Sequence, residues 1–63
     1  MSVFIEVDSR HAKRRVYINV SAISDVLEMD DGCRIGLVGS NDNVYEVEQS
    51  YQVVTDMIHD VLN

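Results

Sequence analysis

Arg10, Lys13, Arg14 and Arg15 place four of the chain's five lysine and arginine residues within six positions, with His11 beside them. Guanidinium groups grip phosphate and carboxylate oxygens in pairs, so a turn this basic is a candidate anion or partner contact. The rest of the chain runs the other way. After Arg15 only Arg34 carries positive charge, against nine carboxylates, and the formal net charge is −6. The competing reading is a solvated turn whose cations offset Glu6 and Asp8, because exposed ion pairs contribute little.

The carboxylates form a second group. Asp25, Glu28, Asp30 and Asp31, with Asp42 and Glu46 as neighbours, could present a surface that mimics a nucleic-acid backbone and occupies a basic groove on another protein. The plainer reading is solubilising charge that guards sheet edges against aggregation.

Reaction chemistry finds little footing. Cys33 is the single cysteine, and neither His11 nor His59 stands at a spacing that suggests a dyad with it. It opens an apolar strand and reads as a buried, inert thiol. No close pair of soft ligands points to a metal. Asp30-Asp31-Gly32 lacks the spaced oxygens and terminal glutamate of a calcium loop. The expectation is a chain without cofactor, metal or catalytic role.

Several short strands and one helix must position these groups. Val3 to Val7 alternates apolar and polar, and Arg15 to Val20 repeats the pattern with Val16, Ile18 and Val20 on one face. Asp8 to Arg14 reads as the turn between them. Ser21-Ala22 suggests a tight corner. In Ile23 to Met29 the parity of Ile23, Leu27 and Met29 is shared by Asp25 and broken by Val26, which predicts a bulge or burial on both sides. Asp31-Gly32 is a hairpin turn signal. The fourth strand is Cys33 to Val38. Gly39 to Asn43 is dense in turn formers, and Val44 to Glu48 is the fifth strand.

The period then changes. Val54, Met57, Ile58, Val61 and Leu62 recur at helical spacing, with Ser50 as N-cap, which predicts a helix over 51–62. A helix that short is marginal alone in water, so it must pack on the sheet. The expected fold is α+β: an antiparallel β-meander of four to five strands in a single domain, with one C-terminal helix on one face.

Phe4 and Tyr17 fall on the strand face opposite the main aliphatic one. If Tyr45 joins them, the sheet has a second apolar surface, and Phe4, Tyr17 and Tyr45 become the candidate oligomer interface. The size of the chain supports self-association. Sixty-three residues bury only roughly 60% of their unfolded surface, yet 46% of them are hydrophobic.

The segment Val16-Tyr17-Ile18-Asn19-Val20, then Ile23, then a hairpin, then Val44-Tyr45-Glu46-Val47-Glu48-Gln49-Ser50 leading into a helix, resembles the FlbD-type small flagellar proteins. The match spans nearly the whole chain in order and spacing. It implies the strand-and-helix fold above and a role as a flagellar accessory factor.

The start of the chain lacks the basic and long apolar regions of a signal peptide, and no run approaches the roughly 18 apolar residues of a membrane span. The acidic balance argues against duplex nucleic-acid binding. The expectation is a cytoplasmic, non-enzymatic, homo-oligomeric module, bacterial or phage-encoded, that binds and modulates another macromolecule, with a protein as the partner. Alternatives are a phage anti-defence inhibitor working by acidic mimicry or steric block in the host cytoplasm, in the manner of anti-CRISPR proteins, and a sponge that holds a small phosphorylated signal nucleotide at the basic turn.

Overall fold

The computed structural model describes residues 3–39 and 44–62. Five strands and one helix follow in order: β1 (Phe4–Ser9), β2 (Arg14–Asn19), β3 (Ile23–Met29), β4 (Gly32–Leu37), β5 (Val44–Val47) and α1 (Tyr51–Leu62). A 3₁₀ turn, Val20–Ala22, joins β2 to β3. All pairings are antiparallel, and the sheet order is β2-β1-β5-β4-β3. The expected α+β class, an antiparallel sheet covered by a C-terminal helix, is what the chain adopts. β3, β4 and β5 form a meander, and the β1–β2 hairpin adds to the far side of β5.

That order forces the sheet to curl. β2 and β3 are its two edges, and a flat sheet would hold them about 19 Å apart, four strand spacings of ~4.8 Å. Only Val20–Ala22 connects them, and a 3₁₀ segment rises ~2 Å per residue. The edges therefore bend toward each other, and the connector is fastened on both sides. The Val20 N–H donates to the Val3 carbonyl at 2.8 Å, and the Val38 N–H to the Ala22 carbonyl at 2.7 Å. Asn19 caps the turn by accepting from the Ser21 N–H at 3.0 Å. The corner expected at Ser21-Ala22 is this turn.

The core lies inside the curl. Ile5, Val7, Ile18, Cys33, Ile35, Val47 and Val54 are all 3% exposed or less. Val54 is the buried residue of α1, and Met57, Ile58 and Val61 pack beside it, which places the helix against β1 and β3 across the concave face. Ser50 caps the helix as expected, its hydroxyl accepting from the Val53 N–H at 3.3 Å.

Two local readings are resolved by the register. The pairing between β3 and β4 shifts between Ile23 and Asp25. Beyond the bulge Val26 stands opposite Ile35 on the core face, while Leu27 points outward and is 52% exposed. The broken parity at Val26 is that bulge. The turn placed at Asp8 to Arg14 is shorter than expected, because β1 continues through Ser9 and β2 begins at Arg14. Ser9 is buried where β5 crosses, opposite Val47, a pairing across 38 residues that no local pattern announces. The turn-forming residues 40–43 lie outside the described residues.

Candidate functional site

The basic turn is divided by the fold rather than presented whole. β1 and β2 are joined by Arg10–Lys13, with Lys13 in the left-handed region at φ 55° and its N–H donating to the Ser9 carbonyl at 2.9 Å. The turn is thereby folded against β5. The Arg10 N–H donates to the Glu46 carbonyl at 2.8 Å, and the Glu48 N–H to the Asp8 carbonyl at 3.0 Å.

Arg10 is an internal clasp. Its Nη1 lies 2.7 Å from Asp31 Oδ2, its Nη2 donates to the Asp31 carbonyl, and its Nε stands 3.3 Å from Glu48 Oε1. That last contact is an ion pair without hydrogen-bond alignment, so the Nε proton has no aligned acceptor. The side-chain bond to Asp31, opposed in part by desolvation, raises the guanidinium above its ordinary value. One side chain thus links the β1–β2 turn to the β3–β4 turn and to the end of β5.

Gly32 permits this. A Cβ there would sit 2.2 Å from the Val47 carbonyl oxygen and 3.0 Å from Arg10 Nη2. Glycine is the residue that lets β4, β5 and the guanidinium meet.

The other cations separate further. Arg15 Nη1 lies 3.4 Å from Glu6 Oε2 on the outer sheet face, and His11 Nε2 lies 3.4 Å from Glu46 Oε1. Glu46 also holds Arg34 at 3.4 Å across β4 and β5. Lys13 and Arg14 are exposed, and neither side chain has an acidic partner among the described residues. Of the four expected contact residues, Arg10 is held in the clasp, Arg15 lies against Glu6, and Lys13 and Arg14 stand without such a partner among the described residues.

The acidic group divides likewise. Asp31 belongs to the clasp. Asp25 accepts from the Ser24 hydroxyl at 2.7 Å and lies over Gly36, where a Cβ would come within 2.4 Å of its Oδ1. Glu28 and Asp30 stay exposed, without a side-chain partner among the described residues. Asp42 lies outside those residues.

Phe4 and Tyr17 meet on the outer face, ring centroids 6.2 Å apart and tilted by 59°. They are 48% and 72% exposed. Tyr45 does not join them. It stands opposite Ile35 and packs against the core, so the proposed aromatic trio is a pair.

Sequence reasoning missed Gln49. Its carbonyl accepts from the Asp8 N–H at 2.9 Å, and its amide donates to the Asp8 carboxylate at 3.0 Å. Glu6, Val7, Asp8, Arg15 and Gln49 line a shallow hollow of about 290 Å³ on the outer face. Its two carboxylates meet neighbours, Glu6 at 3.4 Å from Arg15 and Asp8 at 3.0 Å from Gln49. Cys33 is 1% exposed, and burial pushes its thiol up. A thiol held protonated and out of reach is a poor nucleophile. No cluster of three or more metal-ligating side chains forms among the described residues, and none of their helices is long and apolar enough to cross a membrane.

No protein-family model matches the chain, and no curated protein or solved structure matches it.

Proposed function

We propose that this chain is a non-catalytic, self-associating module that binds and modulates another macromolecule through its surface. The observation that carries this reading is the distribution of apolar side chains. Among the described residues seven are buried in the core, while eight large ones, Tyr17, Leu62, Val38 and Leu27 most of all, stand exposed. Phe4 and Tyr17 stand together among them, ring centroids 6.2 Å apart, and a contiguous apolar pair left in water favours covering by a second molecule.

The partner is a protein that presents a cationic surface. Each copy contributes a net charge of −6, and association multiplies that charge on one particle. Complementary fields speed such an encounter and make it salt-dependent. The phosphorylated-ligand reading is weaker, because Arg10 and Arg15 are already engaged within the chain. The narrower roles remain proposals of the same kind. A flagellar accessory factor follows from the sequence resemblance, and an anti-defence inhibitor from acidic mimicry. Neighbouring genes for flagellar parts or for phage parts would separate them.

The test is affinity capture with the tagged chain from its native cells, followed by elution with salt. A basic protein that elutes with salt and rebinds the pure chain supports the reading. Melting temperature is measured alongside with cyclic and linear phosphorylated nucleotides. A stabilising nucleotide, together with failure of any basic protein to rebind, would overturn it.

A further inference from the structure

The two free edges of the curled sheet carry opposite charge. Among the described residues β2 pairs only with β1, and its edge holds exposed Arg14 with Lys13 leading in, beside Arg15, which lies against Glu6. Among the described residues β3 pairs only with β4, and it holds exposed Asp25 and Glu28 with Asp30 following. An uncovered edge is a row of unpaired backbone donors and acceptors that templates another strand. Natural sheets often blunt such edges with charge, and here the two charges are complementary.

We propose that the β2 edge of one copy adds antiparallel to the β3 edge of the next, joining copies head to tail. This rests on the self-association in the reading above and names the surfaces that carry it. Like-to-like pairing is disfavoured on the same observations. β2 against β2 brings two basic edges together, and β3 against β3 two acidic ones.

Side chains select a register. Residues directly opposite in an antiparallel pair share a face. Setting outward Tyr17 against outward Leu27 of the next copy pairs side chains that are 72% and 52% exposed in the single chain. The same register sets Ile18 against Val26, which extends the core across the junction. It also sets Asn19 against Asp25 and Arg14 against Asp30. Val16 then faces Glu28 and Arg15 faces Met29, the least favourable of these pairs.

A head-to-tail contact repeats: the rotation between copies decides whether it closes into a ring or extends as a filament.

A charge swap tests the assignment. Arg14→Glu reverses the charge that the β2 edge sets against Asp30, and Asp30→Lys reverses its counterpart on the β3 edge. Neither side chain makes an ion pair or side-chain hydrogen bond among the described residues, and circular dichroism checks that both variants fold. Sedimentation velocity is run on the wild type, each variant and their equimolar mixture, at low and high salt. The wild type is expected to sediment as an assembly that loosens with salt. Each variant alone is expected to fall to the single-chain value. The mixture is expected to regain the wild-type value, because each variant's altered edge now matches the other's. Should either variant unfold, Tyr17→Cys and Leu27→Cys chains are mixed and oxidised, and a disulfide between the two copies takes the place of the swap, with no cross-link counting against the register.

A wild type that sediments as a single chain at micromolar concentration overturns both this inference and the self-association beneath it. An assembled wild type whose variants stay assembled, or whose mixture stays apart, overturns the edge assignment alone.

Discussion

Gly32→Ala is the sharpest local perturbation of this fold. The added methyl carbon would sit 2.2 Å from the Val47 carbonyl oxygen, well inside contact distance, and 3.0 Å from Arg10 Nη2. The guanidinium can swing aside, but the carbonyl is backbone, held where Cys33 and Val47 pair. Overpacking of this kind costs roughly 1–3 kcal/mol. Gly32 also sits at φ 156°, near the limit of the range that side chains tolerate, which adds to the cost. The sum is about 2–4 kcal/mol, against a total of roughly 3–9 kcal/mol for a domain of this length. At 4–8 °C per kcal/mol the melting temperature should fall by about 8–30 °C. Gly39→Ala is the control. Gly39 has positive φ (92°) but no atom of the described residues within 4 Å of a new Cβ, so the backbone cost stands without the clash. Thermal unfolding followed by circular dichroism reads both. If Gly32→Ala melts no lower than Gly39→Ala, the close approach of β4 to β5 and the clasp built on it are wrong.

Two further outcomes are expected. Cys33 should resist a thiol reagent in the native protein and react at once in denaturant. Because burial raises its folded pKa above the ordinary 9.0, its contribution to stability is whole below that pH and declines as the pH rises through the folded value. Fast labelling under native conditions at neutral pH would contradict the burial. Arg10→Met keeps much of the apolar stem but removes the clasp, so it should lower the melting temperature more than Arg14→Met at low salt, with the gap narrowing as salt rises. Equal effects in the two variants would mean that Arg10 is not an anchor.

What could be read from the chain followed from what is local. The helix over 51–62 announced itself by its own spacing and by Ser50, and the structure places it at Tyr51–Leu62. Val26 betrayed the bulge because alternation within one strand is a local property. The burial of Cys33 followed from its place in an apolar strand. Long-range pairing was not legible. Ser9 looked like turn material because it is polar, yet β5 returns to cover it from 38 positions away. Arg10 looked like a member of the basic cluster because its partners, Asp31 and Glu48, are distant in sequence. Gln49 carried no signal, since an amide acquires meaning only once Asp8 is beside it. Tyr45 faced the core because β5 lies between β1 and β4, a neighbour order that its own alternation could not supply.

The junction of β1 with β5 sets how this molecule comes together in time. Each hairpin, β1 with β2 and β3 with β4, closes over a few residues and needs little from elsewhere. The seam rests on one aligned pair, Ser9 with Val47, and its closure must gather a chain segment of 38 residues. Loop entropy makes that the late and slow step of assembly. Arg10 and Gln49, which fasten the seam, are therefore brakes on coming apart rather than starting points for folding, and their loss would show chiefly in how long the finished molecule lasts.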